Sequence, residues 1–332
     1  MIRLGAKTKM LLWLVGLAAI VLLARQVGWG EIWETLQLLT PGHIVLLAAL
    51  QIVTLSLSAI QLWYVLRCGG IKLPFGRVLS IYMTGSLMES LTPSVKVGGE
   101  ALKIHLLRRS APGKDERLVG AFVTYKLLAN IPLAVLIPLA LCAFRPDLLL
   151  RLLPYTLGVG LGAVLLFKGL AILRRRPDAP WAGNKRLGAI GRFLRRSATH
   201  ARYTVNRRQT GLMLLAGSVV WLLYPVKLAI VAAALGIELS PLLFAGALIV
   251  SYVVSMLPLA PGGLGSFEGT FVLLLAQAGV PTPQALAAVL ALRLFTYWFP
   301  MLPGAGFALY TLGVRREPAP RPQPTTHDVT AS

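Results

Sequence analysis

Five apolar runs in this sequence are each long enough to cross a lipid bilayer. They cover residues 43–66, 118–144, 148–173, 211–235 and 284–313. The hydrocarbon core of a bilayer is about 30 Å thick, and a helix of roughly 20 apolar residues spans it. The chain is 56% hydrophobic and only 14% charged, which is outside the range of ordinary soluble domains. The sequence therefore predicts an all-α polytopic membrane protein.

The basic residues predict how these segments are oriented. Much of the net charge of +21 lies beside apolar runs, above all in the hydrophilic connection at residues 174–209. Basic connections stay in the cytoplasm, so this one and both termini are expected inside. Apolar residues recur at helical spacing over 184–208, which favours either an amphipathic helix on an anionic leaflet or a solvated linker. The sequence has no basic module with interleaved aromatic residues, so nucleic-acid binding is not expected.

The two ends of the chain complete this organisation. Residues 1–26 have a basic start and an apolar centre without a clear small-residue cleavage site, so we expect a retained first helix. Residues 315–332 are polar and rich in proline, which predicts a disordered cytoplasmic tail. The remaining residues, 1–314, are expected to form one transmembrane domain.

One apolar run is too short to cross the bilayer comfortably. As a helix, residues 78–91 would be about 21 Å long, and Lys103, Arg108 and Arg109 follow soon afterwards. A single crossing would strand these cations on the outer side. Residues 77–109 therefore predict a helical hairpin that enters and leaves from the cytoplasmic face.

The interruption inside that hairpin has a counterpart near the other end of the chain. Pro93 precedes Glu100 by seven residues, and Pro261 precedes Glu268 by seven residues. Both intervals contain glycines and are flanked by apolar sequence. The match indicates an internal repeat.

Further matches extend this repeat over about a hundred residues. Gly-Ile-Lys-Leu at 70–73 corresponds to Gly-Ile-Glu-Leu at 236–239. We expect two units, 43–144 and 211–312, that start on opposite sides of the membrane and are joined by the helix at 148–173 and the basic connection. This inverted arrangement predicts about six full spans plus two opposed re-entrant or broken helical hairpins. Such an architecture is typical of secondary transporters.

Five glycines mark the two interruptions: Gly98, Gly99, Gly262, Gly263 and Gly265. Irregular backbone at membrane depth is tolerated only beside protein or a watery cavity. Glycines permit tight turns and leave amide groups approachable, and the helices that follow them direct their positive ends inward. Together with Pro93 and Pro261, they predict a site for an anion such as a lipid phosphate.

Two acid–base pairs occupy matching positions in the two units. Lys126 follows Glu100 by 26 residues, and Arg293 follows Glu268 by 25 residues. A carboxylate in the first turn stabilises a helix by about 0.3–1 kcal/mol, but ionisable residues in a bilayer are costly and mark transport pathways, so a functional role is favoured. We expect each glutamate to pair with its cation until a lipid phosphate or a proton displaces it. Lys103 is either a further partner of Glu100 or an interface lysine.

At these motifs the sequence resembles the lysylphosphatidylglycerol synthase transmembrane-region family, also called the flippase-like domain family. The matching residues are Thr92-Pro93, Gly98–Lys103, Ala260–Gly265, Glu268 and Arg293. The resemblance implies a domain that moves anionic or aminoacylated lipids, or polyprenyl or hopanoid-type glycolipids, across the bilayer. In the full synthases a soluble aminoacyl-transfer domain follows, whereas only a short tail follows here, so lysyl transfer is not expected. By analogy, an arginine would be expected at Lys126.

The predicted function is therefore a lipid translocase of the bacterial plasma membrane, with an anionic membrane lipid as its partner. Two alternatives remain open: a membrane component of lipid head-group modification or glycosyl transfer acting with a separate catalytic subunit, and a small-anion transporter. The sequence contains no P-loop, G-x-S-x-G or H-E-x-x-H motif. Its two cysteines, Cys68 and Cys142, indicate neither a disulfide framework nor a metal site. Neither an enzymatic activity nor a cofactor is expected.

Overall fold

The computed structural model of the chain describes residues 29–92, 97–144, 204–257 and 260–313, together with residues 197 and 200. Every regular element in these ranges is helical, which confirms the predicted all-α class. The expected first helix, the helix at 148–173, nearly all of the basic segment and the tail lie outside the described residues. The α-helices are α1 (Trp29–Gln37), α2 (Pro41–Cys68), α3 (Phe75–Leu91), α4 (Val97–Ser110), α5 (Asp115–Phe144), α6 (Arg207–Ala234), α7 (Pro241–Ser255), α8 (Ser266–Gln277), α9 (Thr282–Arg293) and α10 (Phe299–Gly313).

Four helical segments in the described part are long and apolar enough to cross a membrane. They are Pro41–Cys68, Asp115–Ala140, Arg207–Ala234 and Thr282–Thr311, the last being α9 and α10 joined by a π-helical segment, Leu294–Trp298. Large apolar side chains on these segments are exposed, for example Leu309 at 73% and Val45 at 69%. Such exposure is unfavourable in water and favourable against lipid tails.

The first long helix of each predicted unit begins and ends with the same local devices. Thr40 caps α2 and Asn206 caps α6, each through a side chain that accepts from a backbone N–H of the first turn. Beyond the other ends lie Gly70, with φ of 77°, and Gly236, with φ of 65°. A left-handed residue at this position lets the chain turn back on the helix. The glycine that starts each Gly-Ile-x-Leu sequence therefore follows the end of a helix, and this arrangement occurs once in each unit.

The helices that follow occur in the same order in both units. The short helices α3 and α4 pack against each other as a hairpin, and so do α7 and α8. Each hairpin also contacts the other unit, because α3 packs on α10 and α7 packs on α5, while α2 and α6 pack together between them. The two units are thus interlocked, and the broken segment of the second unit, Pro261–Gly263, packs against α3 of the first.

Candidate functional site

The interruption of the second unit folds as a tight glycine turn. Pro261–Gly263 form a short 3-10 turn, and α8 begins at Ser266. Gly262, Gly263 and Gly265 have φ angles of 59°, 68° and 79°, which side chains other than hydrogen adopt only with strain. A Cβ atom at Gly262 would also overlap the ring of Tyr297. This turn therefore requires glycine.

Glu268 and Arg293 form a buried ion pair that holds this turn. Nε of Arg293 lies 2.6 Å from Oε1 of Glu268, and the two side chains are only 7% and 1% exposed. The second carboxylate oxygen of Glu268 accepts from the backbone N–H of Gly265 at 2.7 Å. Arg293 also donates from Nη2 to the carbonyl oxygen of Gly262 at 2.9 Å. The pairing expected from the 25-residue spacing is thus present, and it ties α9 to the turn.

Arg293 is also enclosed by aromatic rings. Its guanidinium carbon lies 4.7 Å from the ring centre of Phe267 and 4.5 Å from that of Tyr297. The helix widens into its π-helical segment directly after Arg293. Cation–π contacts stabilise a desolvated guanidinium, and π-helical turns are frequent at functional sites. The guanidinium is consequently held in one orientation.

The first unit contains a different, four-residue cluster. The ammonium of Lys103 lies 2.6 Å from Oε1 of Glu89 and 3.3 Å from Oε1 of Glu100, and Lys126 makes a direct ion pair with Glu100. The Lys103 side chain is 2% exposed, whereas that of Lys126 is 34% exposed. Lys103 is therefore a buried partner of Glu100 rather than an interface lysine.

The glycines of the first unit have a different role from the one predicted. Gly98 and Gly99 lie in the first turn of α4 rather than at the tip of a tight turn. A Cβ atom at Gly99 would overlap the carbonyl oxygen of Gly85 and the side chain of Glu89. Gly99 is thus required because α3 and α4 approach closely at this point. Pro93 lies outside the described residues.

A cavity of about 210 Å³ lies between the two units. Its wall is formed by charged, hydroxyl-bearing and aromatic side chains together with the backbone of the second turn. Of the predicted site residues, Gly262, Gly263 and Arg293 line it, and it is also lined by Glu89. Glu268 and Lys103 stand behind the wall, since each binds a charged residue that does line it.

Two ionisable residues within apolar helices, one 17% exposed and the other fully buried, are absent from the sequence prediction. Glu89 lies near the end of α3, inside the short apolar run, and Lys227 lies within α6, where it is 0% exposed. Both interrupt apolar sequence, and an ionisable residue in such a segment is by itself a signal of function. The prediction missed them because neither has a counterpart in the repeat.

The described residues contain no group of three or more His, Cys, Asp or Glu side chains placed to hold a metal ion. The site within this part of the chain is instead built of cations, carboxylates, hydroxyl groups and tyrosine rings. These groups can bind an ionic or hydroxylated ligand by hydrogen bonding and charge.

Comparison with known proteins identifies the family of this chain. Residues 10–304 match the family described as the lysylphosphatidylglycerol synthase TM region. A UPF0104 membrane protein of Methanothermobacter thermautotrophicus is 24% identical over 303 residues, covering 86% of this chain and 89% of the relative. The inner membrane protein YbhN of Escherichia coli is 27% identical over 309 residues, covering 89% of each chain. Because the family match covers most of the sequence, this chain is a membrane protein that belongs to the lysylphosphatidylglycerol synthase TM region family.

Proposed function

We propose that this protein is a lipid translocase whose central cavity binds the anionic head group of a membrane lipid and moves it between leaflets. The observation that carries the proposal is the placement of Arg293 on the wall of a cavity between the two units. An arginine inside a bilayer is costly, and a chain retains one there when it serves a pathway or a ligand. The family to which the chain belongs is named after the membrane region of a lipid synthase. This also supports a lipid as the ligand.

The guanidinium of Arg293 has donors to offer a phosphate. Arginine carries five N–H donors in a planar fork that matches phosphate oxygens. Glu268 and Gly262 accept from two of them, and the other N–H groups are the ones that would meet a ligand oxygen. The aromatic rings on either side keep the fork oriented, so little conformational entropy is lost on binding.

The rest of the wall suits a polar head group. Ser86, Ser90, Ser255 and Thr296 bring hydroxyl groups to the cavity. Those of Ser90, Ser255 and Thr296 donate to backbone carbonyl oxygens, so their own oxygens can accept from hydroxyl or ammonium groups of a lipid. Glu89 adds a carboxylate, and this favours an ammonium such as that of an aminoacylated lipid. The combination supports a phospholipid head group more than a small bare anion.

The proposal is tested by transbilayer movement in proteoliposomes. The full chain is reconstituted in phosphatidylethanolamine and phosphatidylglycerol with fluorescent phosphatidylglycerol, and dithionite destroys the label in the outer leaflet. The wild-type protein should accelerate loss of the protected label. The double variant Arg293→Gln with Glu268→Gln removes both charges together, so no unpaired charge is left buried. Its rate should fall by about tenfold or more, the value of one hydrogen bond to a charged group.

An exposed ion pair provides the matched control. Arg108 and Asp115 are also joined at 2.6 Å, but their side chains are 46% and 41% exposed. Arg108→Gln with Asp115→Asn removes the same charges away from the cavity and should leave the rate unchanged. Equal rates for the two double variants, or wild-type vesicles that behave like protein-free ones, would refute the proposal. Phosphate uptake without lipid movement would instead favour the small-anion transporter.

A further inference from the structure

Lys227 is a buried cation that belongs to neither charged cluster. Its ammonium donates to Oε1 of Gln51 at 2.5 Å and to Oγ1 of Thr54 at 3.2 Å. It also lies 4.4 Å from the ring centre of Tyr224. None of the ion pairs between described residues includes Lys227. Within that part of the chain, the groups that directly contact this ammonium are therefore uncharged.

The ammonium determines how the Gln51 side chain is oriented. An ammonium has donors and no acceptor, so the amide oxygen of Gln51 must face Lys227 and the amide nitrogen must lie on the other side. The Thr54 hydroxyl donates to the carbonyl oxygen of Leu50 at 2.8 Å, which leaves its oxygen to accept from Lys227. In this group, Lys227 thus donates to Gln51 and Thr54, and Thr54 donates in turn to the backbone.

The other end of this chain of hydrogen bonds reaches the cavity. Gln51 and Tyr224 line the same cavity as Arg293. The hydrogen bonds found among the described residues use Gln51 only through its carbonyl oxygen, so its two N–H donors remain for a ligand. A cation bound to the amide oxygen strengthens the donors of the same amide.

We propose that Gln51, held and polarised by Lys227, is a second binding position of the cavity and donates to a phosphate-type oxygen of the ligand. The inference rests on the proposed function, since it places one more contact in the same cavity. Arg293 comes from the second unit and Gln51 from the first, so an anion between them is held from both sides of the interface.

The substitution Gln51→Glu separates this role from a structural one. A glutamate has the same size and gains an ion pair with Lys227, so thermal stability should be retained. It replaces the N–H donors by a second carboxylate oxygen, which repels an anion. Binding of phosphatidylglycerol to the full chain, measured by native mass spectrometry, should weaken by about tenfold or more. Glycerol phosphate is titrated separately to distinguish a lipid from a free phosphate ester.

A second variant covers the case in which Gln51→Glu does not fold. Gln51→Met with Lys227→Met replaces the polar pair by apolar side chains of similar length, a change that buried ionic groups often tolerate. It should show the same loss of phosphatidylglycerol binding. If the variants lose binding of glycerol phosphate but keep binding of phosphatidylglycerol, Gln51 is still a binding position. Its ligand is then a free phosphate ester.

The outcomes that overturn the proposal are distinct from those that overturn the function. If a folded variant binds phosphatidylglycerol as the wild type does, while Arg293→Gln with Glu268→Gln binds it poorly, the role of Gln51 is wrong and the proposed function stands. If the wild type itself binds neither phosphatidylglycerol in preference to phosphatidylethanolamine nor glycerol phosphate, both fail.

Discussion

The single substitution Glu268→Gln tests whether the turn needs a carboxylate at position 268, with both oxygens accepting hydrogen bonds. Both carboxylate oxygens face donors: Arg293 Nε at 2.6 Å and the Gly265 N–H at 2.7 Å. An amide has one oxygen and one NH2 group. In either orientation of the glutamine, its NH2 group faces a donor, and one of the two hydrogen bonds is replaced by a repulsive contact.

The expected loss of unfolding free energy follows from the burial of both side chains. The Glu268 side chain is 1% exposed and that of Arg293 is 7% exposed, so water cannot replace the lost partner. Removing one member of a buried ion pair costs about 3 kcal/mol or more, because the other charge is left uncompensated. For a chain of 332 residues, a loss of about 3 kcal/mol lowers the melting temperature by roughly 4 °C.

The assay is thermal unfolding of the purified protein in detergent, followed by loss of the monodisperse peak in size-exclusion chromatography. Glu238→Gln is the control, because Glu238 is an exposed glutamate between α6 and α7, and it should change stability by less than about 0.5 kcal/mol. Adding Arg293→Gln to Glu268→Gln should recover part of the loss. If Glu268→Gln melts at the same temperature as the wild type, the carboxylate of Glu268 is not required by Arg293 and Gly265.

Two further predictions concern the remaining cavity structure. Gly262→Ala should destabilise the protein by about 2 kcal/mol in thermal unfolding, because the left-handed backbone disfavours a Cβ atom and Tyr297 must move. Gly269→Ala is the control, since Gly269 lies in a helix with open space around it. That variant should be more stable than the wild type by up to about 1 kcal/mol. Lys103→Met should cost about 3 kcal/mol in the same assay, because it removes the buried cation that lies between the carboxylates of Glu89 and Glu100. Lys126→Met should cost less than about 1 kcal/mol, since its side chain is 34% exposed. Equal losses for the two lysine variants would contradict the burial argument.

Several parts of the site could be predicted from spacing in the sequence. Glu268 stands in the first turn of α8 and Arg293 in the last turn of α9, and these consecutive helices pack together. Their pairing is therefore a local property of one helical hairpin. The same holds for Glu100 and Lys126, which lie on the consecutive helices α4 and α5.

Other parts of the site depend on the register between packed helices. The short contact of Lys103 with Glu89 arises because α3 and α4 approach closely at Gly99. The sequence of either helix alone does not predict which residues face each other across such a contact. For the same reason, Gly98 and Gly99 were predicted to form a turn, whereas they permit close packing inside a helix.

The class of the protein and the limits of several of its helices follow from short stretches of sequence. Apolar run length sets what can cross a bilayer, and caps and left-handed glycines such as Gly236 act on their immediate neighbours. Which groups line the cavity depends instead on how the helices pack. Gln51 and Lys227 meet across 176 residues of sequence, and Glu89 rather than Glu100 forms the wall. The side of a buried helix that faces a cavity is set by the packing of all its neighbours, which no local stretch of sequence encodes.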